Sequence, residues 1–185
     1  MGADPDRADD RNDRTLIERW LGGDQRAATA LVERHAAAIA RFVSTLGESE
    51  PDEVVQDTFV RAFGSFDSFR GESSLRTWLF TIARRLVLDR RRSQRRRPEA
   101  ERIEEVDVMG DGGFTALDSI VAAESEAQVR EAVERLSPTQ REVFTLRVGE
   151  GLSYKEIAEV VGTTEGAARV HYHNALRAIK EALYV

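Results

Sequence analysis

The chain has 185 residues, 41% of them hydrophobic, with no cysteine, three histidines and a formal charge of −6, which suits one domain or two small ones, each with a modest core. Disulfides and thiolate metal sites are excluded, and His35, His171 and His173 are too few and too scattered for an ordinary zinc site, so neither metal nor cofactor is expected. The charged N-terminus lacks the apolar stretch of a signal peptide, and no run approaches the roughly 18 apolar residues of a membrane span; a cytoplasmic protein with no membrane contact of its own is expected.

Apolar residues recur at spacings of three and four along the chain and period-two alternation is missing, so the predicted fold class is all-α. Residues 1–14 read as a polar, disordered tail. A first helix then carries Leu16, Ile17, Trp20 and Leu21 and breaks at Gly22-Gly23. Asp24 caps a second helix with Ala27, Ala28, Leu31, Val32, Ala38, Ile39, Phe42 and Val43 as its apolar stripe; His35 lies among them as a packing or surface residue. Pro51 opens a third helix, whose buried side is expected to be Val55, Phe59 and Phe63 with Val54 and Val60 beside them, and Gly64 closes it. A short loop holding Phe66 and Phe69 follows, with both rings expected to be exposed. Ser73 or Ser74 then caps a fourth helix that runs from Leu75 through Ile82, Leu86 and Val87 into a run of arginines.

The layout of charge says more than its sum. From Arg84 to Pro98 there are eight arginines against Asp89, and from Glu99 to Glu126 nine acids against Arg102. A basic patch therefore adjoins an acidic stretch. Residues 98–118, with Pro98, three glycines and few apolar anchors, read as a flexible acidic linker between an N-terminal domain at 15–97 and a C-terminal domain at 119–185. The second domain has a helix to about Leu136, a Ser137-Pro138 start for the next, and then the stretch from Leu152 to Leu183.

Within that stretch, Ser153 to Arg169 has the build of a helix-turn-helix. Ser153 and Glu156 form a capping box, Ile157 and Val161 point inward, small Ala158 lets the second helix cross closely, and Gly162 supplies a left-handed turn. The second helix would present Thr164, Glu165, Arg169 and His173 to the major groove. The plainer alternative is a helical hairpin. His171 and His173 are two apart, on different faces of a helix, which argues against a shared metal.

Two blocks taken together resemble the extracytoplasmic-function sigma factors of bacterial RNA polymerase. One runs from Asp52-Glu53-Val54-Val55-Gln56-Asp57-Thr58-Phe59 to the Phe69-Arg70-Gly71-Glu72-Ser73-Ser74-Leu75-Arg76-Thr77-Trp78 stretch and on to Arg84. The other is Leu136-Ser137-Pro138-Thr139-Gln140-Arg141-Glu142-Val143-Phe144 with the helix-turn-helix behind it. The resemblance implies that Asp52, Glu53, Gln56, Asp57 and Arg61 dock on core RNA polymerase, whose largest and second-largest subunits are the expected partners. It implies that Phe66, Phe69, Arg70, Ser73, Arg76, Trp78, Arg84, Arg85 and Arg91 read and melt the minus-ten promoter element. Aromatic rings suit an extruded base and arginines its phosphates.

The same resemblance carries minus-thirty-five recognition to Thr164, Glu165, Arg169, Val170, His171, His173 and Asn174, and implies that the linker threads the polymerase cleft and that an anti-sigma factor sequesters the chain. Arg85 stands where asparagine is common in the family, and Val170 and Asn174 where serine and arginine are frequent, so this recognition helix is less basic than most. No covalent step is expected of the chain. A stand-alone helix-turn-helix regulator is the alternative; a nucleic-acid enzyme would need carboxylates converging on one helix face, and here the acids concentrate in the linker.

Overall fold

A computed structural model describes residues 5–96 and 123–183; the expected linker, 98–118, lies outside the described residues. These form eight α-helices and no strand: α1 Pro5–Leu21, α2 Gln25–Thr45, α3 Pro51–Phe63 and α4 Leu75–Arg96, then α5 Ala123–Glu134, α6 Pro138–Phe144, α7 Tyr154–Val161 and α8 Glu165–Leu183. The all-α reading is therefore the observed one. None of the described helices is long and apolar enough to cross a membrane.

Local sequence sets most helix starts. Asp24 accepts a hydrogen bond from the Arg26 N–H at 3.0 Å, Pro51 occupies the first turn of α3, and the Ser74 hydroxyl accepts from the Thr77 N–H at 3.1 Å at the start of α4. Ser137 with Gln140 and Ser153 with Glu156 form complete capping boxes on α6 and α7. The N-terminal core packs α2, α3 and α4 around Leu31, Ile39, Phe42, Val54, Leu79 and Phe80, with the Phe42 and Phe80 rings edge to face at 5.2 Å. Each such side chain contributes about 1.5–3 kcal/mol on burial. In the C-terminal half, α5, α6 and α7 pack on α8. α6 runs directly into a π-helical turn, Thr145–Gly149, that leads the chain to Glu150.

Three expectations need correction. Residues 5–14 are not a disordered tail, because α1 begins at Pro5 and Asp13 is buried at 2% exposure. The cause is ionic. Asp13 accepts from Arg34 at 2.7 Å and pairs with His35 Nε2 at 2.9 Å, which anchors α1 on α2 and explains a buried histidine among alanines. Val60 lies outside the core at 64% exposure, while Thr58 and Ala62 take its place, since only residues in register with Val54 face α4. Phe66 is buried at 3% exposure, between the rings of Phe63 and Trp78.

The first correction is testable. Asp13→Ala leaves Arg34 and His35 without their shared carboxylate, and should cost roughly 3 kcal/mol in urea denaturation. A disordered tail would leave the midpoint unchanged.

Candidate nucleic-acid interface

The exposed side of α3 carries Asp52, Glu53, Gln56, Asp57 and Arg61, all of them solvent-facing, and Val60 joins them as an apolar residue on the same side. Arg90, reaching across from α4, donates to Asp57 at 2.9 Å and to Glu53 at 3.3 Å and lies 3.8 Å from Glu48. That guanidinium fixes the acidic pair in place while leaving half of the Asp57 side chain in solvent.

The loop between α3 and α4 is held from two sides. Gly71 adopts φ +67°, and a side chain there would collide with the Arg14 guanidinium, which donates to the Gly71 carbonyl at 3.4 Å. Phe69 is half-buried with its ring 5.0 Å from Trp78, itself half-buried on α4. Arg70 is exposed, Ser73 half-buried. Along α4 the arginines diverge: Arg85 is exposed and Arg91 partly so, whereas Arg76 and Arg84 are engaged in ion pairs. Of the residues expected at the strand-opening surface, the structure thus gathers Phe69, Arg70, Ser73, Trp78, Arg85 and Arg91 on accessible surface. Phe66 leaves the set, since its ring belongs to the aromatic cluster beneath.

The helix-turn-helix has the expected anatomy. Ser153 donates to Glu156 through its N–H at 2.8 Å and its hydroxyl at 2.7 Å, Ile157, Ala158 and Val161 are buried, and Gly162 takes φ +74°. Burial pushes the Glu156 carboxyl up, but hydrogen bonds from Ser153 and Thr77 and the charge of Arg76 outweigh it and hold the group below its ordinary value. The Thr164 hydroxyl accepts from the Ala167 N–H at 3.1 Å and caps α8. Ala168, fully buried, lets α8 lie close against its neighbours. Outward from that turn stand Glu165, Arg169, Val170 and His173, with His171 and Asn174 half-buried at the margin. Arg169 donates to Glu165 at 3.0 Å and lies over the Tyr154 ring at 5.0 Å, so its guanidinium is oriented before any DNA arrives. Asn174 accepts from Arg177 at 3.1 Å.

Residues that local pattern did not reveal lie between the two halves. Glu150, with a side chain 1% exposed, accepts from Arg41 at 3.1 and 3.3 Å and from Arg76. Glu142 accepts from Arg84 at 2.7 Å, and the Thr77 hydroxyl donates to Glu156 at 3.2 Å. The one available signal was Arg41, a charge flanking the apolar stripe of α2.

Comparison with known proteins accounts for both halves. The Sigma-70 region 2 family model matches residues 31–97 and the Sigma-70 region 4 model residues 126–179. The ECF RNA polymerase sigma-E factor of Haemophilus influenzae is 32% identical over 187 residues, covering 95% of this chain and 97% of its own. Its Escherichia coli K12 counterpart is 33% identical over 175 residues, covering 90% and 92%. Among solved structures, CnrH in complex with the cytosolic domain of CnrY matches with a TM-score of 0.64 at 30% identity, covering 93% of this chain and 97% of that one. The sigma factor RpoE in complex with the anti-sigma factor NepR from Bartonella quintana matches with a TM-score of 0.67 at 25% identity, covering 85% and 96%. Two matched regions in the right order, and relatives aligned almost end to end, make this chain a member of the extracytoplasmic-function sigma factors, proteins of transcription initiation.

Proposed function

We propose that the chain docks on core RNA polymerase through the exposed face of α3, reads and opens the minus-ten element with the loop after α3 and with α4, and reads the minus-thirty-five element with α8. The observation that carries this reading is the helix-turn-helix: the left-handed turn at Gly162 and the cap at Thr164 leave the first turns of α8 in solvent with Arg169 pre-oriented. On α3, an acid-bearing face with one exposed valine suits a basic partner surface that has an apolar spot. Around α4, the Phe69 and Trp78 rings and the free edge of Arg85 and Arg91 suit an unpaired strand. The relatives' membership of the sigma family does not favour the stand-alone regulator. The chain acts in the cytoplasm beside the polymerase and performs no covalent step itself.

An anti-sigma factor is the proposed regulator. NepR, described as an anti-sigma factor, is bound to the Bartonella quintana sigma factor RpoE, and CnrY's cytosolic domain is bound to CnrH, which supports a partner of that kind here. Such a partner would cover the α3 and α8 faces.

Asp57→Arg sets a cation beside Arg90 and Arg61 on the docking face, and should weaken core polymerase binding about tenfold or more while the circular dichroism spectrum keeps its helix signal. Unchanged affinity would remove this face from the interface. Arg169→Ala separates two kinds of DNA contact in the holoenzyme. A base contact should cost about 1–3 kcal/mol and relax preference at one promoter position, whereas a phosphate contact should weaken all sequences alike and lower the salt slope by about one. Neither effect would mean that Arg169 does not face DNA.

A further inference from the structure

The two domains meet chiefly where α7 lies on α4, and also where α6 and the π turn touch α2. One continuous apolar cluster, including Leu79, Val87, Ile157 and Val161, runs through both halves. Around it sit the charges. Glu150 takes Arg41 and Arg76, Glu142 takes Arg84, and Glu156 takes the Thr77 hydroxyl. A cleft of about 640 Å³ separates the loop of Phe69, Gly71 and Ser73 from Ser153, Lys155 and Glu159 of the C-terminal domain, which walls that loop on one side.

Arg76 and Arg84 belong to the surface proposed to hold the promoter strand. A carboxylate offers a guanidinium the same acceptor geometry as a phosphate, so neither arginine holds a phosphate while it holds its glutamate. We infer that Glu142, Glu150 and Glu156 form an intramolecular latch that closes the C-terminal domain over the strand-opening face of the N-terminal domain, and that core polymerase and promoter phosphates open it by competing for that face. The inference rests on the proposed promoter role of α4. The ion pairs themselves come apart readily: they recover little beyond the desolvation they require, and separation returns the arginines and glutamates to water or, for Arg76 and Arg84, to a phosphate. Opening also exposes the apolar cluster shared by the two halves, so polymerase and promoter contacts must offset that burial as well. While the chain is closed, its apparent affinity for DNA and polymerase falls in proportion to the open fraction.

The absence of cysteine allows a clean optical test. Glu33→Cys on α2 and Glu181→Cys on α8, both exposed, take a donor and an acceptor dye. The labelled chain alone should show high energy transfer, which core polymerase with a premelted promoter fork should lower. Glu142→Gln with Glu150→Gln should lower transfer without any partner and, where about nine chains in ten are closed, raise transcription at limiting polymerase about tenfold. Should that pair lose helix signal, Glu142→Asp with Glu150→Asp, which keeps the charge and shortens the reach by one methylene, is read in its place. Unchanged transfer in the folded variant, or an opened variant with no gain in transcription, overturns the latch. A wild-type chain that supports no transcription at saturating polymerase overturns instead the promoter reading on which the latch's inhibitory role rests, and the transfer signal tells the two failures apart.

Discussion

Glu150 sits almost wholly out of water between Arg41 of α2 and Arg76 of α4, and the relation between the two domains depends on contacts of this kind. A carboxylate in that position is tolerable only because two guanidiniums meet it. The π turn at Thr145–Gly149 brings it there, and the apolar cluster shared by α4 and α7 supplies the surface on which the charges line up. Wide helical turns of this type are frequent at functional sites. The Glu150 partner Arg76, like Arg84 further along the helix, lies on the part of α4 proposed to hold nucleic acid, so one face of α4 would have two uses. Closed, it holds glutamates; open, it is free for phosphates.

How much of this was legible in the sequence follows from how far apart the interacting residues lie. The helix start at Ser137, the capping box at Ser153, Pro51 at the start of α3 and Gly162 in the turn each act within four residues, and each is found where its pattern put it. The latch joins residues separated by 58, 74 and 109 positions, and no local pattern encodes such a pairing. Asp13 with His35 is the same lesson at shorter range: a charged N-terminus resembles a tail until a buried histidine on the next helix claims one of its acids. Phe66 and Phe69 look alike in sequence. Only the packing of Trp20, Phe63 and Trp78 sends one ring inward and leaves the other half open.

Of the three large apolar side chains most exposed among the described residues, Leu21 at the end of α1 lies away from the proposed interfaces and the other two lie on them. Val60 on α3 and Val170 on α8, at 64% and 58% exposure, are apolar side chains that no neighbour covers in the closed chain. Scattered exposed valines are ordinary on a protein surface. These two, though, lie beside Asp57 and Arg61 in one case and Arg169 in the other. A thymine methyl would suit Val170, and an apolar spot within a basic groove would suit Val60. The modest positive charge of α8 fits the same picture, with α4 carrying eight arginines and α8 contributing shape and the oriented guanidinium of Arg169.

Run-off transcription with purified core polymerase and a promoter library tests the central claim most directly. The account predicts that adding this chain yields transcripts from a subset of templates that share two spaced elements, and that core polymerase alone yields none of them. No promoter-dependent transcript, together with tight and sequence-specific duplex binding by the chain without polymerase, would contradict it.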